Sequence, residues 1–475
     1  MKMNFDRKGS SLPVIGLFAV FLLFVQPYLF REFWFDEALT LMNFAWMPDP
    51  VKIYFSYIIP NNQLFYTMAL HYWAQLPFDG FRQDFFLRLL SLLFASGTIL
   101  LLYSGFHRIY GKTALLVSLG ALAVAPPFLI YASALRGYMA SAFWVAFTLK
   151  FAVEFQRKPA KGLFLKYAVG CLLAVGTIPS NLLALAGVVL FALPFAGSSF
   201  LRKKRTFILA LTPLICLAVV YLPILKSFLG VCRLGEGWQN GFHVLAAWFC
   251  MIGAVFGVLW VPCFFRVFKP VKIHRIVPWG IFLLPVAAVC VLPTSPFPRV
   301  FFPLLPLLAL LMAGALRHFV ACFRRRYRSW LYCLFAVAVL GGGCVLNTTP
   351  VKELLSGCCG GPTGDDFFYG YYMRPEHEPL KSALEMEKIF GRNAVLPPVY
   401  LSFSSDPWPT MYYLTSCGFR AEFLFDGPRG KVAFLAPQSL VVINAKENPA
   451  TVESRFGVEL MPLFETRMHR VYKVK

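Results

Sequence analysis

Asp36 and Glu37 are adjacent carboxylates that follow three aromatic residues, Phe33, Trp34 and Phe35, just past the first long apolar run. Such a pair can take up a proton, and two acids this close rarely ionise alike, so one is expected to hold its proton more tightly. A plainer use fits as well. The pair opens a segment with apolar residues at Ala38, Leu41, Met42 and Ala45, and acids in the first turn of a helix stabilise it by about 0.3 to 1 kcal/mol. Arg136 and Arg299 stand at the mouths of later apolar runs, outside the basic clusters, and Arg88 lies four residues inside another. A guanidinium there can fork onto an oxyanion or simply snorkel to a membrane surface. For Arg88 the plainer reading is an ion pair with Asp84, one turn earlier. Tyr138, two residues past Arg136, suits either a hydrogen bond to a bound oxygen or an interfacial aromatic belt. Asn61, Asn62 and Gln63 could bind hydroxyl groups, and they could equally cap the short apolar stretch that follows.

These residues must be positioned by elements that live in lipid. The 475 residues are 58% hydrophobic and 14% charged, far from the composition of a soluble domain. Apolar runs of spanning length appear near 11 to 30, 85 to 106, 113 to 131, 135 to 152, 166 to 180, 182 to 199, 206 to 225, 243 to 265, 276 to 293, 300 to 320 and 329 to 346, eleven in all. The run 63 to 77 is shorter and carries Gln, His and Trp, which reads as an interfacial helix. The net charge of +22 lies wholly in the first 346 residues, since 347 to 475 balance fourteen basic against fourteen acidic side chains. With the amino terminus inside, every basic cluster up to the Arg317 to Arg328 turn is cytoplasmic. That pattern belongs to membrane topology and argues against a nucleic-acid surface. An odd number of spans puts the neutral tail outside, so the expected domains are 1–346, a membrane domain, and 347–475, an extracytoplasmic one. The tail holds short β-branched runs at 398 to 403 and 441 to 445, and a helical pattern at 377 to 391 ending at Gly391. A small α/β unit is expected there, with Cys359 and Cys417 able to pair in an oxidising compartment.

Five stretches, in order, carry a resemblance. They are the Asp36, Glu37, Ala38 triplet; PNNQLFYTMALHYW from Pro60; QDFFLRLLSLLFASGTILLLYSGFHRIYG from Gln83; APPFLIYASALRGYMASAFWVAFTL from Ala125; and SPFPRVFFPLLPLLALL from Ser295. Together they resemble the GT-C glycosyltransferase superfamily, in the bacterial branch that groups protein O-mannosyltransferases with aminoarabinose transferases. The resemblance implies a GT-C-type all-α polytopic membrane domain and sugar transfer from a polyprenyl-phosphate donor. Many relatives have His where this chain has Gln63, so a divalent metal has less support here.

Transfer of that kind needs a base for the acceptor's proton and cations for the phosphate as it departs. The resemblance implies Asp36 as base with Glu37 beside it. Arg88, Arg136, Tyr138 and Arg299, with Asn61, Asn62 and Gln63, are then the donor-binding set. The implied partners are the lipid-linked sugar, a lipid, glycan or protein acceptor, and the lipids of the cell's inner membrane; the implied class is a hexosyl- or pentosyltransferase. A flippase of lipid-linked sugars competes, although transporters usually repeat their halves and place polar groups at midplane. Here the polar candidates gather at one face.

Overall fold

The computed structural model describes residues 12–56, 63–77, 83–195, 200–234, 241–267, 277–291, 297–359, 377–391, 396–424 and 434–475. Contacts divide the chain into two compact units: Met1–Leu29 with Asp49–Gly370, and Phe30–Pro48 with Tyr371–Lys475.

The first unit is helical. Where they are described, the eleven expected runs fall on helical segments. Among the described residues, six helices are long and apolar enough to cross a membrane. A seventh is obtained if Lys112–Val124 and Pro126–Ser133 count as one span bent by 66°. Asn181–Phe195 and Trp279–Val291 are shorter apolar helices, and Tyr138–Arg157 carries Lys150, Glu154 and Arg157 in its second half. The chain is a multi-pass membrane protein on this evidence. Large apolar side chains such as Leu23, Val219, Phe242, Trp330 and Val337 are exposed on the helix surfaces, as expected where lipid is the solvent.

The bend follows from sequence. Pro126 and Pro127 open the second piece, and a residue before proline is pushed out of the helical region; Ala125 is extended at φ −77, ψ 131. The break strands carbonyls, and Asn347 takes up one of them. Its Nδ2 donates to the Val124 carbonyl at 2.9 Å and to that of Gly343 at 2.7 Å, while its Oδ1 accepts from Tyr28 Oη at 2.6 Å. The most enclosed span is Pro298–Ala321, whose apolar window is 89% buried, against 17% for Arg325–Leu346.

The second unit contains the segment that follows the first span and the tail. Its mixed sheet has β1 (Val399–Leu401), β2 (Ala421–Phe423), β3 (Leu440–Asn444), β4 (Leu460–Glu465) and β5 (His469–Val474), in the order β2-β1-β3-β5-β4. β1 is parallel to β2 and β3, while β5 is antiparallel to β3 and β4. Two of these strands stand where the β-branched runs predict them, and β3 is buried over four successive residues, as a central strand should be. The expected helix is Pro379–Phe390, stopped by Gly391 at φ +73. Leu424, Leu435, Val441, Ile443, Val452, Leu460, Tyr472 and Val474 form the core on one face of the sheet. Cys417 Sγ lies 3.8 Å from Glu387 Oε2; the side chains of Cys358 and Cys359 lie outside the described residues.

The run Gly341, Gly342, Gly343 offers an internal control on helix packing in the first unit. A Cβ on Gly343 would meet Val124 Cγ2 at 2.5 Å, whereas one on Gly341 or Gly342 meets nothing within 4 Å. Overpacking of that kind costs roughly 1 to 3 kcal/mol. Gly343→Val should therefore lower the melting temperature in detergent by several degrees, and Gly341→Val and Gly342→Val should leave it close to wild type.

Candidate active site

The carboxylate pair lies on a very short helix, Phe35–Thr40, which continues into a π-turn over Leu41–Ala45. Six residues cannot hold a helix by themselves. Glu37 supplies part of what holds it. Its Oε2 accepts the Trp34 backbone N–H at 3.2 Å, the N-terminal amide of the element. Its two oxygens also accept from both Arg31 terminal nitrogens, at 3.3 and 3.4 Å. Glu37 is fully buried and the Arg31 side chain is 6% exposed, so this is a desolvated, forked ion pair. Breaking such a pair from one side typically costs about 3 to 5 kcal/mol. Asp36, on the same turn, keeps partial exposure.

The tail grips the residues just before this helix. The Phe33 backbone N–H donates to Tyr413 Oη at 3.0 Å, and its carbonyl oxygen lies 2.8 Å from His377 Nε2. Glu32 accepts the Leu380 N–H at 2.8 Å. The Phe33 ring meets Tyr412 edge-on at 4.8 Å and stacks with Tyr413 at 6.2 Å, and Trp46 stacks on Tyr412 at 5.7 Å. Behind His377, Nδ1 faces Asp406 Oδ2 at 3.6 Å. Burial, and then the Asp36 carboxylate, push Asp406 up to about 7. Burial pulls the His377 imidazole down to about 4, with Arg31 and His469 adding to that and the Phe33 carbonyl and Glu37 opposing it. His469 is likewise pulled down to about 4 by burial, wedged between Ser382 Oγ at 2.8 Å and the Ser405 carbonyl at 2.7 Å. Asp406 is thus a carboxyl raised in part by a neighbouring acid. It is a tail residue that the sequence does not single out.

In the first unit the structure brings four of the expected residues together. Arg136 and Arg299 are buried, and each guanidinium carbon lies 6.0 Å from the centre of the same Tyr138 ring. The two cations are therefore no further apart than the sum of those distances. Arg299 also sits 4.6 Å over Phe297, and the Tyr138 ring leans on Tyr131 at 4.9 Å, which in turn meets Phe302 at 4.7 Å. Aromatic faces attract desolvated guanidinium groups by about 2 kcal/mol. Gln63 joins through the backbone: its Oε1 accepts the N–H of Gly137, the residue between Arg136 and Tyr138. No side chain fits at Gly137, where a Cβ would lie 2.9 Å from both Thr177 Cγ2 and Tyr66 Cβ. Arg88 is fully buried and donates from Nη1 to the Leu29 carbonyl at 3.1 Å, a bond that caps the end of the first span. Asn61 and Asn62 lie outside the described residues. Among the described residues no group of three or more His, Cys, Asp or Glu side chains could hold a metal ion.

No protein-family model matches this chain, and no curated protein matches it. Solved structures do. The crystal structure of ArnT from Cupriavidus metallidurans in the apo state superposes with a TM-score of 0.58 at 15% identity, covering 97% of each chain. ArnT from the same organism bound to undecaprenyl phosphate gives 0.59 at 15% identity, covering 98% of each. The GT-C fold expected from the sequence is the fold observed.

The buried titrating groups of the second unit give a pH dependence with a definite sign. Between about pH 4 and 6.5 an unfolded chain protonates His377 and His469 while the folded one does not. Over the same range the folded chain keeps a proton on Asp406 that an ordinary carboxyl has released. The balance is one more proton on the unfolded side, so stability falls on acidification through this window. The unfolding midpoint of the second unit in the full-length protein should drop between pH 6.5 and 4. His469→Asn removes one of the two histidine contributions, and with it nearly all of the slope; a slope that survives the substitution contradicts the assignment.

Proposed function

We propose that this chain is a membrane glycosyltransferase that moves a sugar from a polyprenyl-phosphate carrier to an acceptor on the extracytoplasmic side, with inversion at the sugar carbon. The carrying observation is the convergence of buried Arg136 and Arg299 on Tyr138, a desolvated pair of cations suited to a phosphate. The shared fold supports it, since one of the similar structures is of ArnT bound to undecaprenyl phosphate.

In this reading the acceptor hydroxyl oxygen attacks the sugar's anomeric carbon, the bond from that carbon to the phosphate oxygen breaks, and the hydroxyl proton passes to Asp36. Polyprenyl phosphate leaves with the extra negative charge, which Arg136 and Arg299 stabilise. Glu37 is the orienting acid: its oxygens are committed to Arg31 and to the Trp34 amide. Gln63 fixes the Arg136 to Tyr138 turn through Gly137. Arg88 serves by anchoring the end of the first span, and Asn61 and Asn62 are assigned to sugar hydroxyls. The amino terminus is cytoplasmic, the tail is extracytoplasmic, and the membrane is the cell's inner membrane, as the basic clusters imply.

Purified protein in proteoliposomes, supplied with a panel of polyprenyl-phosphate hexoses and pentoses and candidate acceptors, tests this directly. Asp36→Asn should lower the transfer rate by about a hundredfold or more. Arg136→Gln and Arg299→Gln should each cost a comparable factor, about 2.7 to 4 kcal/mol of transition-state stabilisation. Equal rates for wild type and Asp36→Asn would remove Asp36 from the mechanism. Movement of lipid-linked sugar across the bilayer with no transfer to any acceptor would replace the transferase with a flippase.

A further inference from the structure

Asp406 is built in a way that its place in the chain does not require. It caps the helix Pro407–Ser416, where an aspartate ordinarily turns its carboxylate onto the unpaired amides of the first turn. Here its side chain makes no such bond. Its backbone occupies the left-handed region, φ 49 and ψ 68, which residues with a Cβ adopt uncommonly and aspartate more readily than most. What both departures achieve is to aim Oδ2, buried and without a hydrogen bond among the described residues, at His377 Nδ1. On the opposite edge of that ring Nε2 faces the Phe33 carbonyl. A carbonyl only accepts, so Nε2 carries the proton and the neutral ring turns a lone pair toward Asp406. The Phe33 peptide, gripped on its other side by Tyr413 Oη, leads within two residues into Phe35–Thr40, the helix that carries Asp36 and Glu37.

We propose that His377 and Asp406 are positioning residues for the Asp36–Glu37 helix, acting on it through the Phe33 peptide. The proposal rests on the transferase reading of Asp36 and deepens it. The clamp is sensitive to charge. A protonated Asp406 can donate to Nδ1, giving an unbroken neutral chain from Asp406 through His377 to Phe33. An ionised Asp406 sets a carboxylate against a lone pair and adds a second negative charge beside Asp36. The other groups acting on the clamp are Arg31, Glu37 and His469, which face His377, with Glu378 facing His469 in turn. Arg31 and Glu37 are committed to each other, and His469 is neutral above about 4. The group that changes near neutrality is Asp406, at about 7. The clamp should therefore loosen as pH rises through 7.

Two readouts on the full-length protein in nanodiscs test this. One is amide hydrogen exchange of residues 31–45, corrected for the intrinsic pH dependence of exchange. The other is the initial rate of transfer from a polyprenyl-phosphate sugar. In wild type, exchange should rise about tenfold between pH 6 and 8 and kcat should fall by a similar factor, with KM for the donor unchanged. Asp406→Asn, whose amide can donate to Nδ1 at every pH, should flatten both profiles. His377→Phe should raise exchange already at pH 6 and lower kcat about tenfold, and His377→Gln, which can still donate to the Phe33 carbonyl, should recover part of the loss. Wild-type exchange that does not change between pH 6 and 8, or an Asp406→Asn profile that keeps the wild-type slope, overturns the proposal. Should His377→Phe not fold, that comparison of wild type with Asp406→Asn decides alone. If exchange behaves as described but no sugar is transferred by any form, the clamp stands and the transferase reading fails.

Discussion

A carboxylate meant to take a proton has to be held firmly without being neutralised by whatever holds it. If Asp36 is the base, as proposed, the chain meets this constraint by splitting the two tasks between neighbours. Glu37 takes the structural burden: it caps its own short helix through the Trp34 amide and locks Arg31 in a buried fork. Asp36 sits on the same turn with partial exposure. The ion pair has a desolvation penalty that a surface pair would not carry. The hydrogen bonds to Glu37 and the aromatic packing of Phe33 on Tyr412 and Tyr413 offset it. The tail is therefore better described as the scaffold of this loop than as a free-standing attachment. Without β1, β2 and the helix between them there would be no Tyr412, Tyr413 or Asp406 at this place.

The first unit solves the opposite problem, that of holding cations in a dry place. Arg136 and Arg299 come from segments distant in sequence, one after the bent span and one at the entry to the most enclosed helix. Each approaches the Tyr138 ring. Proline sets both approaches. Pro126 and Pro127 break the span ahead of Arg136, and Pro298 and Pro303 keep the Arg299 segment in a 3-10 conformation before the α-helix begins at Leu305. Irregular backbone next to membrane spans is tolerated where protein surrounds it, and both stretches are buried.

Much of this was legible in the residues. Every apolar run became helix, the helix ending at Gly391 and the strands at 399 to 401 and 440 to 444 lie where composition puts them, and the GT-C resemblance carried the fold. The breaks within the runs were less legible, because hydropathy registers how apolar a stretch is and not where prolines and short helices interrupt it. The Arg136, Tyr138, Arg299 group was readable as residue types but not as one cluster. The share of the tail in holding Asp36 was not readable at all. His377 and Asp406 stand more than 340 residues from Phe33, and Asp406 resembles an ordinary helix cap until its left-handed backbone is seen. Arg31 had a faint signal, a basic residue on the side of the membrane where such residues are scarce.

Gln63 stands where the resemblance implies a histidine in many relatives. An imidazole at that point would offer a titrating donor or a metal ligand. An amide does not change charge with pH, and its one metal-binding atom, Oε1, is here taken by the Gly137 N–H. The Gly137 N–H can only donate, so it fixes which end of the amide faces it: Oε1 turns toward the backbone and Nε2 away. That nitrogen is buried and has no hydrogen-bond partner among the described residues, and a buried donor left so is costly. A substrate oxygen would relieve that cost and a metal ion would not, because an amide nitrogen has no lone pair to give. On the proposed reading, Gln63 would take part in donor binding through this N–H.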